Sequence, residues 1–416
     1  MNDLFKKNMR LHIFKLLVAL EVIVLSALVG ILSGAVCALF AHGLVALNVL
    51  RDAHYIFMPI ALPLLGLGIV FLYSHIGANT QQGMLLIFNA KFDRRQNVPL
   101  RMAPLAMLTT WMSHLGGASV GREGVACQIG AAIGWNIGTL VQSERMQQHL
   151  IIAGIAGGFA GIFRTPVAAV CFSLEVIIAG HLFYRELVPS IIAAGSASVV
   201  SGYLGIVPER VMLSEIIGSF PELTSAFVMK LIALAFLFGI VGTVFSQLLQ
   251  KTHEVLSKLL PNAYLRIALV GFVAGVLLLI AHHGRYAGLS LPMSETLTTL
   301  SQGETFFTYD WILKLAFTVL CLSAGFSGGE LAPLLLIGSS FGVVIAPAFD
   351  MHPFLCAALG YGAVFGAATN TLLAPIAIVG SVFGFQYLAP VALVCSIAYY
   401  VNGNRTIYTK QRIAKG

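Results

Sequence analysis

Charge is what this chain has least of. Asp, Glu, Lys and Arg together make up only 10% of its 416 residues, against roughly 25% in a soluble domain. That shortage excludes an ordinary soluble globular protein. Paired cysteine spacing is also missing. The six cysteines (Cys37, Cys127, Cys171, Cys321, Cys356 and Cys395) lie inside apolar runs, and none forms a Cys-x-x-Cys pair. They read as small core residues, with no metal site and no disulfide framework. The equipment of an intramembrane enzyme is read as absent: His253-Glu254 continues Val-Leu-Ser and not as His-Glu-x-x-His, and there is no serine nucleophile elbow and no P-loop. No cofactor is expected.

What the chain has is apolar surface. Hydrophobic residues make up 58% of it, and the mean hydropathy is +0.90. The apolar runs are continuous and do not alternate, so an all-α polytopic membrane protein is expected. The net charge of +7 does not point to nucleic acid, because it gathers at the ends. Lys6, Lys7, Arg10 and Lys15 precede or open the first span, and Lys410, Arg412 and Lys415 close the chain. Lys91, Arg94, Arg95 and Arg101 mark another basic loop. The positive-inside rule makes both ends cytoplasmic, in a multi-pass protein of the plasma or inner membrane. The first apolar run is too long for a cleavable signal peptide.

The spans are uneven. Leu16 to Leu50 reads as one long tilted helix. The runs Val125–Val141, Ile151–Phe163, Leu331–Ile345 and Thr371–Phe385 are short or cut by Gly and Pro, where a straight span takes about 20 residues. Short segments in matching places of two halves predict inverted repeats whose half-helices meet near the midplane. The expected division is a basic N-terminus (1–15), a first membrane repeat (16–206), a polar linker (207–225), a second repeat (226–402) and a short C-terminal segment (403–416).

Each half carries a carboxylate among glycines at the mouth of an apolar helix. The first is Gly121-Arg122-Glu123-Gly124; the second is Gly328-Gly329-Glu330-Leu331-Ala332-Pro333. Glycines leave backbone N–H groups open to approach, and a helix N-terminus adds partial positive charge. A buried carboxylate there can compete with an anion when charged and donate to it when protonated, which is a basis for exchanging anion against proton. Glu123 can equally be a helix-capping carboxylate beside Arg122. Arg164 and Glu175 read as a structural ion pair in preference to residues facing an aqueous vestibule, and Lys314 as a snorkelling end residue in preference to a ligand.

The first signature resembles the Gly-Arg-Glu-Gly-Pro motif of the CLC family of chloride channels and anion/proton antiporters. Lys314 through Pro333 resembles the family's Gly-x-Phe-x-Pro region. Ala156 to Pro166, on through Glu175, resembles the segment after the first signature. Arg405-Thr406-Ile407-Tyr408 sits where the family places its pore-lining tyrosine. The resemblance implies the CLC-type inverted-repeat fold with broken, tilted helices. The departures point to one branch. The family's Gly-Ser-Gly-Ile-Pro serine motif is replaced by Gln82-Gly83-Met84-Leu85-Leu86-Ile87, Val125 follows Gly124 where proline is usual, Glu330 replaces an apolar residue, and Val176 stands at the inner proton-transfer glutamate. This combination is similar to the fluoride/proton antiporter branch.

That resemblance implies a secondary transporter exporting fluoride against protons, and so fluoride resistance, in a homodimer with one pathway per subunit. Its partners would be fluoride, the proton and the bilayer. Glu123 would be the gating, proton-carrying glutamate. Glu330, Leu331, Gly124 and Val125 would surround the anion site, Met84 would replace the serine, and Tyr408 would close the site from the cytoplasm. Phe88 would line the pore. The residues alone leave Met84 and Phe88 open as core packing and Tyr408 as part of an aromatic belt. A chloride/proton antiporter or chloride channel of the same fold is the alternative.

Overall fold

A computed structural model of the chain describes residues 2–93, 95–141, 143–211, 213–218, 222, 224–281, 284–289, 307–409 and 411–414. Arg94, Pro221, Lys410 and Lys415 lie outside them, as do the side chains of Lys6, Lys7 and Arg10. The described chain is helical almost throughout. Its first helices are α1 (Asn2–Ala53), α2 (Phe57–Leu72), α3 (Met84–Phe92) and α4 (Met102–Leu115). Then come α5 (Glu123–Leu140), α6 (Glu144–Phe163), α7 (Pro166–Glu175), α8 (Leu187–Tyr203) and the short α9 (Leu213–Ile217). After them run α10 (Ser225–Leu259), α11 (Ala263–Ile280), α12 (Asp310–Ala324), α13 (Leu331–Ile345), α14 (Pro353–Thr369), α15 (Leu373–Phe383) and α16 (Leu388–Val401).

The expected long opening helix is present. At 1.5 Å per residue α1 would be roughly 78 Å long, more than twice a bilayer's hydrocarbon thickness, so it can cross only tilted and overhanging. It is a peripheral helix: just 22% of its most apolar window is buried in the protein, against 83% for α6 and 78% for α13 with the turn after it. The inner helices are apolar on all sides because they touch protein all round.

Small residues set how closely these inner helices pack. Gly130, Gly134 and Gly138 repeat every fourth residue on α5 and face α6; a Cβ at Gly130 would run into the Gly154 carbonyl, and one at Gly134 into that of Leu150. The second half repeats the device, with Gly338 of α13 against the Gly360 carbonyl and Gly342 against that of Cys356. Backbones this close gain van der Waals contact that bulkier residues would forbid. Gly130→Ala therefore destabilises the fold by about 1–3 kcal/mol, the usual cost of overpacking a tight core. A lower thermal-unfolding temperature in detergent is the expected reading. An unchanged midpoint would show that α5 and α6 can slide apart freely.

The short helices end in the interior, and their orphan backbone groups find partners across the two halves. The first three N–H groups at the start of α15, from Leu372, Leu373 and Ala374, all point at Glu175, the last residue of α7, at 3.1, 3.0 and 2.6 Å. A carboxylate at a helix N-terminus satisfies both the donors and the helix dipole. This corrects the expected Arg164–Glu175 pair. Arg164 sits at the C-terminus of α6 in the left-handed region (φ 53) and donates to the Ile206 carbonyl at 2.8 Å. Lys314 is likewise no snorkelling residue. It is fully buried and donates to the carbonyls of Tyr286 and Gly288 at 3.2 and 2.7 Å. Carbonyls of the 284–289 turn reach its ammonium where water cannot.

Candidate functional site

Gly121 and Gly329 form an isolated antiparallel bridge. Gly121 N–H donates to the Gly329 carbonyl at 2.5 Å, and Gly329 N–H to that of Gly121 at 2.8 Å. Two glutamate signatures about two hundred residues apart thus become one two-stranded contact, with α5 and α13 leaving it. Side chains would prevent this. A Cβ at Gly121 would stand 2.8 Å from the Pro333 ring and 2.9 Å from the Gly329 carbonyl oxygen, and one at Gly124 would press on the Cα of Gly329. Pro333 lies in the first turn of α13, where a missing N–H costs nothing.

Glu123 opens α5 and is buried, with 1% exposure. Its Oε2 accepts from the N–H of Ala332 in the first turn of α13 at 3.2 Å and from its own neighbour's N–H, Arg122, at the same distance. Its Oε1 faces the Arg122 guanidinium at 3.4 Å. The carboxylate therefore occupies the positive end of the helix from the opposite half, where a small free anion would also be held.

Glu330, immediately before α13, is half-buried and lines a cavity of about 590 Å³. Met84, Phe88, Val125 and Tyr408 line the same cavity. Glycine supplies the approach here too: Gly83, at φ 56, turns the chain so that α3 begins with Met84 facing inward. Phe88 sits one turn below and meets the Tyr408 ring edge-on at 5.2 Å and 76°. Tyr408 is buried, and its hydroxyl faces the Glu330 carboxyl. Leu331 is buried but lines neither this cavity nor the smaller one on the far side of Glu123, and neither does Gly124. Phe92, on the same face as Phe88, stands apart, under the Arg412 guanidinium at 3.9 Å.

Glu123 does not line the large cavity. It faces a second space of about 30 Å³ with Arg122, Glu209 and Tyr361. The bridge and Glu123 thus separate a roomy chamber from a narrow pocket, and each side has one of the signature carboxylates on its wall.

A profile of the voltage gated chloride channel family matches residues 65–403. The chain belongs to that family. Among similar proteins is a chloride/fluoride channel protein of Pseudomonas syringae pv. tomato, 33% identical over 94% of this chain and 86% of its own length. A solved CLC-type fluoride/proton antiporter superposes with a TM-score of 0.91 at 39% identity, covering 95% of this chain and 98% of that one. A slow cyanobacterial chloride/proton antiporter shares the fold, with a TM-score of 0.80 at 20% identity over 93% and 96% of the two chains. The expected CLC-type fold of broken helices is the one observed.

This CLC chain contributes chamber-lining groups that its motifs do not advertise. Thr110 of α4, Gln128 of α5, His253 of α10 and Arg266 of α11 reach the wall from four helices, and no fixed spacing links them in sequence. Two strings do spell Gly-x-Ser-x-Gly, 117–121 and 338–342. Neither is a nucleophile elbow: the Ser119 hydroxyl pairs with that of Thr318 at 2.9 Å, and Ser340 bonds back to the Leu336 carbonyl within α13. Lys91, counted among the loop cations, is buried and paired with Glu186 at 2.8 Å.

Proposed function

We propose that the protein is a secondary transporter that exports fluoride in exchange for protons across the plasma membrane, and so confers fluoride resistance. The observation that carries the reading is Glu330 on the chamber wall, beside Met84, Phe88 and Tyr408, in a chain 39% identical to a fluoride/proton antiporter. Two repeats, 16–206 and 226–402, frame one pathway per chain, and the working unit is a homodimer. Catalysis of a covalent reaction is no part of this role.

Glu123 is the gate and the proton carrier. Charged, it holds the α13 N-terminus against the anion; protonated, it gives that position up. Glu330 serves the anion from the chamber side, with Tyr408 at its inner limit and Met84, Phe88, Val125, Gly124 and Leu331 shaping the path. Fluoride is small and strongly hydrated, so it needs strong donors to replace its water. Backbone N–H groups and a protonated carboxyl are such donors, and charge-assisted bonds of this kind are about twice as strong as neutral ones. The chamber opens to the cytoplasm, where the basic ends and the loop near Arg95 and Arg101 lie.

Anion efflux from liposomes holding the pure protein tests this reading. Fluoride and chloride electrodes read the anions while internal pH is followed. Fast fluoride efflux with protons moving the opposite way, and slow chloride efflux, is expected. Chloride efflux as fast as fluoride would move the protein to the chloride/proton side of the family, and no proton movement would overturn antiport.

A further inference from the structure

The narrow pocket beside Glu123 has a second carboxylate that no motif accounts for. Glu209 belongs to the polar linker between the halves, yet it does not trail into solvent. The linker is tied down on both sides of it. Arg164 at the end of α6 holds the Ile206 carbonyl at 2.8 Å, and the Val211 N–H donates to the Val382 carbonyl of α15 at 2.8 Å. Leu213, two residues on, is fully buried. This strap lays Glu209, half-buried, over the pocket that Glu123 and Arg122 line.

The polar groups facing Glu209 in that pocket are Arg122, Glu123 and the Tyr361 hydroxyl of α14. Tyr361 is 1% exposed and its hydroxyl has no hydrogen-bond partner. The other walls are apolar: Phe163, Leu289, Ala332, Leu335 and Leu336. A space of about 30 Å³ holds roughly one or two waters, and such waters need polar partners. Among the described residues lining the pocket, the side-chain partners are the two carboxylates, the guanidinium and the phenol. Glu209 itself makes no ion pair or hydrogen bond among the described residues, so its carboxyl is free to face this water.

We propose that Glu209 is an outer proton relay for the exchange, taking a proton from the water at the pocket mouth and passing it to the Glu123 carboxylate. The proposal rests on the antiport reading given above. The proton bond to Glu209 forms as hydronium becomes water. It then breaks as the proton moves, directly or through the enclosed water, to Glu123, and Glu209 returns to its anion. Tyr361 is a positioning residue that gives the water a donor and acceptor between the two acids. Burial raises the Glu209 carboxyl above the ordinary carboxylate range; Arg122 pulls it back, and the Glu123 charge pushes it up again. A raised carboxyl is protonated nearer neutral pH, as a relay requires.

The test is coupled exchange in liposomes as a function of the pH on the Glu209 side. Wild type slows as that pH rises through the raised range of Glu209. In Glu209→Gln the slowing sets in at lower pH, and the neutral-pH rate falls by about tenfold or more, with the fluoride-to-proton ratio unchanged. Acidification speeds both, the variant only at the lower pH where its slowing sets in, whereas added imidazole on that side speeds the variant and leaves wild type alone. Glu209→Asp retains most of the rate, and Tyr361→Phe gives a weaker form of the Gln effect. A Gln variant with the wild-type rate and pH profile would overturn the relay. So would a slowed variant that neither acid nor imidazole rescues. Wild-type protein that moves fluoride without protons would overturn antiport first and the relay with it, which separates the two failures.

Discussion

Glu123→Gln abolishes proton movement and lowers fluoride exchange at least about 100-fold. The substitution keeps size and shape, so the fold around α5 survives. An amide oxygen can still accept from Ala332 N–H, now at 3.2 Å from Oε2. What the amide lacks is a second protonation state. In the proposed exchange the carboxylate leaves the α13 N-terminus when it takes up a proton, and returns when it loses one. Glutamine holds one charge state at every pH and has no proton to trade. Its neutral head also releases the Arg122 guanidinium that faces Oε1 at 3.4 Å, so any residual flux is uncoupled and insensitive to pH. Liposome flux with simultaneous internal pH reads both quantities. Coupled exchange at the wild-type rate and ratio would remove Glu123 from the mechanism.

Glu330→Gln lowers fluoride turnover on the order of 100-fold or converts it to an uncoupled leak, because the chamber loses its only signature carboxyl. Glu330 lines the chamber and follows Gly329 of the bridge. It lies close enough to Glu123 for the two charges to repel. In the proposed exchange, a proton taken up by one of these neighbours ties the state of the other to it. A glutamine at 330 breaks that tie. It can still offer an N–H, so the anion is held, but the donor no longer appears and disappears with the proton. The same assay decides: an unchanged exchange ratio with unchanged turnover would make Glu330 a spectator of the chamber wall.

The two signature carboxylates were legible because their signals are local, whereas Met84, Phe88 and Tyr408 entered through the family resemblance. A carboxylate set among glycines before an apolar helix is a short string, and Glu123 and Glu330 each carry one. Met84 is next to a glycine that must turn at φ 56, and Phe88 follows it by one helical turn. Leu331 was placed with Glu330 at the anion site by the family resemblance; in the fold it is buried and lines neither cavity. Arg164 and Glu175 were paired on opposite charge and nearness in sequence. In the fold each meets backbone groups instead, because broken helices leave orphan donors and acceptors that charged side chains satisfy.

Composition alone determined that this chain is a helical membrane protein: with so little charge and such continuous apolar runs, water is the wrong solvent for it. The paired Gly/Glu strings determined that two carboxylates stand at helix mouths. Only the tertiary structure decided that the two strings meet, through the Gly121–Gly329 bridge. It alone divided Glu123 from Glu330 between two cavities, and it brought Glu209 back from the linker to the first of them. The reason is physical. Hydropathy and helix-end chemistry act within a turn or two of chain. The approach of one half to the other depends on which backbones can touch, and that is settled by glycines and partners far apart in sequence.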